Sequence, residues 1–303
     1  MKKLKALFFI FILPFALFGW SPGGHMTGGA IAYQYLKEHN PAVLDKVLHT
    51  LRMHPWMETK WSDKMQGLSE EQKAQALFML ASTYPDDARS FPELGGGEMK
   101  KWHYVDYPFV PDEEEVFGED PDPINAQEKL ISFITSLKTQ TESAQKAVDV
   151  CWTFHLLEDI HQPLHTVSMF DGDLPHGDRG GNSRYIKLPT GGAAKKLHSY
   201  WDGLITGTLR NIPAKATALL AKPQYQEANL SELTTNTDVE SWIKKESFPL
   251  AVSAVYKNGS VNGVKGAPTT VSNSYVTTAK KTAERRVVLS GIRLAKKLIE
   301  IYE

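Results

Sequence analysis

The segment His155-Leu-Leu-Glu-Asp-Ile-His-Gln-Pro-Leu-His165 places three histidines and two carboxylates in eleven residues. That density of ligands suits a transition metal. His155 and Asp159 are four apart, so a helix projects both from one face, one turn above the other. Pro163 ends or redirects that helix and lets His165 turn toward a neighbouring site. Four further segments carry groups of the same kind: Trp20 to His25, Asp86-Asp87-Ala-Arg89, His103-Tyr104-Val-Asp106, and His198-Ser-Tyr-Trp-Asp202, which repeats the four-residue His/Asp spacing. Taken singly, each is weak: a lone histidine is more often a satisfied core or surface residue, and a four-residue His/Asp pair is often only a local hydrogen bond. Five in one chain point to a metal centre. Nitrogen and oxygen ligands without thiolates, several of them imidazoles, suit Zn²⁺.

These groups must be held by a mostly helical chain. Periodicity and capping signals predict helices near 25–39, 42–52, 70–83, 125–138, 142–161, 194–205, 237–256 and 275–302. Asn125 and Ser143 read as N-caps, with Glu128 completing a capping box on Asn125. In the 142–161 helix, Val148, Cys151, Trp152, His155 and Asp159 share one stripe, so the metal candidates extend a buried apolar face. Residues 183–188 predict a short strand or hairpin. The acidic run 111–123, the Gly/Asp-rich 170–181 and the Gly/Ser/Asn-rich 258–274 read as loops. There are no internal repeats, and the last quarter reads as scaffold.

The chain has 303 residues, 42% hydrophobic and 23% charged, ample for a core. Met1 to Lys5 is basic and Ala6 to Phe18 apolar. That run is shorter than the roughly 20 residues a membrane helix needs and reads as a secretory signal over 1–19, leaving one domain over 20–303. A periplasmic or secreted protein without stable membrane association, and monomeric, is expected. The single Cys151 excludes an intramolecular disulfide and reads as a small buried hydrophobe. The formal charge of −1 becomes about −4 without Lys2, Lys3 and Lys5. No long basic run appears. Affinity for a phosphodiester cannot rest mainly on a Lys/Arg surface, and bound cations must supply the positive field.

In order and spacing these segments resemble the zinc-dependent single-strand nucleases of the fungal, mung-bean and plant type (type I nucleases, also 3′-nucleotidases), within the wider zinc phospholipase C-like superfamily. The shared features are Trp20 with Gly24-His25 following, Pro85-Asp86 with Arg89, His103-Tyr104-Val-Asp106, His155 to His165, Gly177-Asp178-Arg-Gly-Gly-Asn182, and Leu197-His198 to Trp201-Asp202. The resemblance spans about Trp20 to Asp202, with a weaker echo at Ser290 to Ala295. It implies a mainly α, multi-helix single domain with long loops and at most a small β-hairpin.

It also implies three zinc ions. Asp86, His103, His155 and Asp159 would hold the first. The free amine and carbonyl of Trp20, with His25 and a bridging Asp159, would hold the second. His165, His198 and Asp202 would hold the third. Asp106 would orient or deprotonate the attacking water and Arg89 would pair with a phosphate oxygen. Tyr104 would stack on a base, with Asn182 at the base edge. Read without the family, Asp106 would orient the His103 ring and Arg89 would bridge to Asp87. His161 is not a ligand in the family and reads as structural. Thr83-Tyr84 stand where the family has a small residue and Trp, a change of packing. The implied reaction is hydrolysis of single-stranded DNA and RNA to 5′-phosphates, with 3′-nucleotides as further substrates. A zinc-dependent phospholipase C is the alternative, though its last ligand is normally Glu where Asp202 stands here. A non-catalytic zinc-binding protein is the other.

Overall fold

The computed structural model describes residues 20–89, 98–111 and 118–303. The expected leader 1–19 lies outside these residues, as do residues 112–117 of the acidic loop 111–123. The described chain is mainly helical, with two small sheets.

Six helices make the main layer. Helix α1 (Pro22–His39) starts with Pro22 in its first turn, where a missing N–H costs nothing. Helix α2 (Pro41–Arg52) starts likewise, its first turn closed by Asn40 Oδ1 accepting from the Val43 amide. Helix α3 (Glu70–Ala88) begins with a complete capping box between Ser69 and Gln72. Helix α4 (Ala126–Leu137) is capped by Asn125, which accepts from the Glu128 amide. Helix α5 (Ala144–Asp159) is capped by Ser143. Both caps agree with the sequence. After the short α6 (Leu197–Asp202) and α7 (Ile212–Leu220), the long α8 (Asn273–Tyr302) closes the chain. Helices α1, α3, α5 and α8 pack on one another around the principal apolar cluster, which includes Ile31, Leu36, Phe78, Phe154, Leu157, Val288 and Leu294. Among the described residues, no helix is long and apolar enough to cross a membrane.

Two departures from expectation have local causes. Helix α3 runs through Pro85 to Ala88 instead of stopping near 83, which keeps Asp86 in register with the rest of its helix. The 237–256 helix forms, but with wider turns at Ile243–Ser247 and Ala251–Val255 on either side of Phe248–Leu250. Pro249 lacks the donor a regular turn requires, and loosened turns accommodate it.

The sheets exceed the expected hairpin. β3 (Tyr185–Lys187) pairs antiparallel with β4 (Lys195–Lys196) and parallel with β5 (Thr269–Thr270). β1 (Tyr107–Phe109) and β2 (Val167–Met169) pair parallel, Tyr107 opposite Val167. That pairing, with the Val105 amide donating to His165 O at 2.8 Å, ties the His103 segment to the His165 segment. A second apolar cluster under these strands includes Leu164, Met169, Ile186, Trp201 and Tyr256.

Candidate metal centre

Eight buried side chains meet where α1, α3, α5 and α6 converge with two short turns. His25 comes from α1 and Asp86 from the last turn of α3. His155 and Asp159 lie on α5, at the end of the stripe that also buries Cys151 and Trp152. His103 ends a short 3₁₀ helix, Glu98–His103, and His165 lies in the turn Pro163–Thr166 that follows α5. His198 and Asp202 occupy one face of α6.

The donor atoms fall into three groups, each within 4.8 Å: His25, Asp86 and His155; His103, His155 and Asp159; His165, His198 and Asp202. Asp159 is the centre of the constellation. Its Oδ2 lies 3.1 Å from both His103 Nδ1 and His155 Nε2. Its Oδ1 lies 3.5 Å from His25 Nε2 and 3.3 Å from His165 Nδ1. Asp86 Oδ1 approaches His155 Nε2 to 3.6 Å, and Asp86 Oδ2 approaches His25 Nε2 to 3.8 Å. His25 therefore has both carboxylates in reach, Asp159 being the nearer. In the third group, His198 Nε2 and Asp202 Oδ2 are 3.3 Å apart.

The outer side of each imidazole is fixed. Nδ1 of His155 donates to Ser82 O at 2.8 Å, that of His165 to His103 O at 2.6 Å, and that of His198 to Gly180 O at 2.6 Å. His25 Nδ1 meets Glu158 Oε2 at 2.8 Å. Four rings thus carry the proton on Nδ1 and turn the Nε2 lone pair inward, the arrangement of metal-ligating histidine. His103 is reversed. Arg89 Nε donates to its Nε2 at 3.0 Å, and its Nδ1 faces His155 Nε2 at 2.9 Å. An imidazole that gives Nδ1 to an ion carries its proton on Nε2, so Arg89 and an ion compete for this ring's tautomer.

The donor set passes a direct test of fit to a cation. His25 Nε2, His165 Nε2 and Asp159 Oδ1 are buried with no hydrogen-bond partner among the described residues. Each unpaired buried polar atom costs about 1–3 kcal/mol, so a cluster of inward-facing acceptors needs a cation to be stable. Electrostatics agree. Burial, then the neighbouring His155, pushes the His25 imidazole well below its usual range. Burial and then Arg89 do the same to His103, and burial lowers His165. Burial disfavours a charged His155 too, but the charges of Asp159 and Asp86 outweigh it and raise that ring. Three imidazoles held neutral (His25, His103 and His165) beside an anionic Asp159 suit a zinc-type ligand set, and a cation among them takes the place of the positive charge that the carboxylates draw to His155.

The remaining expected residues take defined places. Trp20 is fully buried and its indole N–H donates to Glu158 O at 3.1 Å, beside the His25 group. Arg89 also contacts Asp86 Oδ1 at 3.0 Å, so it bridges to Asp86 and His103. The bridge to Asp87 is not what it makes; Asp87 instead meets Lys64 at 3.3 Å on the surface. Both ring nitrogens of His103 are engaged by other groups, so the ring is not oriented by Asp106. Burial, then the Asp178 charge, raises the Asp106 carboxyl to about 7. Tyr104 is half-buried. Asn182 donates to Arg179 O at 2.9 Å, and its Oδ1 has no partner among the described residues.

Several residues support the site from behind, and of these only His161 has a role, a structural one, in the sequence reading. Gln162 donates to Asp202 Oδ1 at 2.7 Å and accepts from the Leu164 amide at 2.6 Å, tying α6 to the His165 turn. Asp178 accepts from the Met169 amide at 3.0 Å and from the Tyr256 hydroxyl at 2.8 Å. His161 faces away from the metal groups, donating to Leu157 O at 2.7 Å and pairing through Nε2 with Arg293 at 2.8 Å. Arg286 donates to His161 O at 3.1 Å, and both arginines grip the buried Glu246. The last helix is therefore more than remote scaffold: it braces the turn between Asp159 and His165. A signal was present in Gln162 and His161, which fall inside the motif, and in the echo around Arg293.

The description S1/P1 Nuclease matches residues 20–303, extending the resemblance read from the motifs through the last helix. Over 308 residues the chain is 23% identical to Endonuclease 3 of Arabidopsis thaliana, covering 93% of this chain and 89% of the relative. It is 24% identical over 315 residues to Endonuclease 4, with the same coverages of 93% and 89%. With Endonuclease 5 it is 26% identical over 198 residues, 57% of this chain and 59% of the relative. The S1/P1 nuclease family is zinc-dependent in general, in keeping with the histidine and aspartate groups above. The chain belongs to the S1/P1 nuclease family and is a hydrolase of phosphodiester bonds in nucleic acid.

Proposed function

We propose that the protein is a three-zinc endonuclease of single-stranded DNA and RNA that leaves 5′-phosphate products and also acts on 3′-nucleotides. The convergence of eight buried donors into three groups supports this reading above any other observation. In it, Asp86, His103, His155 and Asp159 hold one ion, and His165, His198 and Asp202 hold a second. His25 with Asp159 serves a third, completed by the amine and carbonyl of Trp20 once residues 1–19 are removed. Export to the periplasm or beyond would thereby precede completion of the site. Bound zinc supplies Lewis acidity at the phosphate and lowers the pKa of the attacking water.

The chain's own residues do the rest. Asp106, raised to about 7, is suited to accept a proton near neutral pH. Arg89, beside Asp86 and His103, can pair with a phosphate oxygen when it releases the ring. Half-buried Tyr104 can stack on an unpaired base, and the unpartnered Asn182 Oδ1 can accept from a base edge. A stacking pocket favours unpaired bases, in keeping with a chain of net charge −1 that has no long basic run in its sequence.

The test is an assay panel on protein beginning at Trp20, with metal content measured on the same sample. Cleavage of single-stranded DNA and RNA and release of phosphate from 3′-nucleotides, abolished by chelator, is expected. Equal rates on duplex and single strands, or 3′-phosphate products, overturn the specificity assigned. Undiminished metal content and activity in protein extended by one residue before Trp20 overturn the amine's role.

A further inference from the structure

Glu158 is buried beside the metal groups, and none of the candidate ligand sets or catalytic roles above includes it. A carboxylate removed from water is costly unless donors surround it. Both its oxygens have partners: Oε2 lies 2.8 Å from His25 Nδ1, and Oε1 accepts from the Ser82 hydroxyl at 2.9 Å. The same Ser82 receives the Nδ1 proton of His155 on its carbonyl at 2.8 Å. The His25 and His155 rings stack with centroids 4.0 Å apart and planes 20° apart. One carboxylate and one serine therefore set the orientation of two neighbouring imidazoles.

Helix α1 has been shaped to leave room for this pair. A Cβ on Gly28 would lie 2.5 Å from Glu158 Oε1, and one on Gly29 would lie 2.6 Å from Ser82 Oγ. Glycine in a helix interior costs about 1 kcal/mol relative to alanine, so two in succession mark space that something else needs. The tautomer follows from the ring's other nitrogen. His25 Nε2 is buried without a hydrogen-bond partner among the described residues. A proton there would be an unsatisfied buried donor, whereas a lone pair there can meet a cation.

We propose that Glu158 is a positioning residue: its carboxylate holds His25 with the proton on Nδ1, aims Nε2 at the Asp86 and Asp159 oxygens, and so sets how tightly the ion at His25 is kept. The inference rests on the reading of His25 as a metal ligand. Carboxylate partners of metal-ligating histidines are worth about 10–100-fold in metal affinity.

The experiment uses the protein beginning at Trp20, with zinc counted by mass spectrometry and its affinity measured by competition with a chromophoric chelator. Four proteins are compared: wild type, His25→Ala, Glu158→Gln and Glu158→Leu. His25→Ala is expected to lose one ion. Glu158→Gln keeps an acceptor for the His25 proton and should weaken that same ion about tenfold; Glu158→Leu should weaken it by up to about a hundredfold. The other ions should keep wild-type affinity, and the His25 Nδ1 proton resonance should move in both Glu158 variants. If His25→Ala keeps every ion, the reading of His25 as a ligand fails. If His25→Ala loses an ion but both Glu158 variants hold it as wild type does, only the Glu158 inference is overturned. An equal loss of all ions together with lower melting of the metal-free protein shows a general packing role and overturns it too. Should Glu158→Leu not fold, the isosteric Glu158→Gln decides alone.

Discussion

Replacing Gly180 by alanine perturbs the candidate metal group of His165, His198 and Asp202 without replacing any of its three residues. Gly180 sits at φ +62°, in the left-handed region, and its carbonyl takes the Nδ1 proton of His198 at 2.6 Å. A Cβ there would lie 2.4 Å from Leu164 O and 3.4 Å from His198 Nδ1. The Leu164 carbonyl is backbone in the turn that carries His165, so it cannot swing aside as a side-chain tip would. A left-handed L-residue costs about 1–2 kcal/mol, and overpacking a tight site adds about 1–3 kcal/mol. Gly180→Ala should therefore destabilise by roughly 3 kcal/mol and wedge His198 from His165. Gly191 is the control: it has φ +84° and nothing within 4 Å of its built Cβ. Gly191→Ala should show the backbone strain alone, about 1 kcal/mol. Urea unfolding of zinc-loaded protein, with the ions counted, separates the two. If Gly180→Ala unfolds with Gly191→Ala and keeps its full complement of zinc, the cradle argument is wrong.

Other perturbations probe other parts of the molecule. His54, stacked on Trp61 and edge-on to Tyr84, is lowered by burial to about 3. Its folded value lies below the unfolded 6.5, so the unfolded chain binds the extra proton. Stability is then complete above about 6.5 and falls as pH drops toward 3, by about 1.4 kcal/mol per unit. His54→Phe should flatten that part of the stability–pH curve, and an unchanged slope contradicts the assignment. If Asp106 is the base, kcat/KM should rise with pH through about 7. Because Asp178 helps to hold Asp106 up, Asp178→Asn should move that limb to lower pH; a stationary limb means the two carboxylates are not coupled. Arg293→Met removes a partner from buried His161 and Glu246 and should cost about 3 kcal/mol in urea unfolding, since breaking a buried pair strands its charge. A loss under 0.5 kcal/mol, within the range of surface changes, argues against the brace.

Spacing alone made much of the site legible. The four-residue separation of His155 and Asp159 puts them on one helix face whatever the rest of the chain does, and the same holds for His198 and Asp202. Caps such as Asn125 and Ser143 are local too, because a side-chain oxygen and an amide three residues on meet without tertiary help. Pro85 misled the helix boundary: proline discourages a helix locally, yet the burial of Leu80, Tyr84 and Asp86 carried α3 through it. The parallel pairing of β1 with β2 is silent in sequence, because its partners lie some sixty residues apart and neither strand alternates long enough to announce itself.

What the sequence determined by itself was the inventory of candidate ligands and the helices that carry most of them, both functions of short-range periodicity and residue chemistry. Tertiary structure decided the partners. It put Arg89 on Asp86 and His103, used Glu158 and Ser82 to hold two imidazoles, and brought Arg286 and Arg293 from the last helix to His161. Which nitrogen of each ring faces inward depends on what sits behind it. That neighbour comes from a different element almost every time, so no local pattern encodes it.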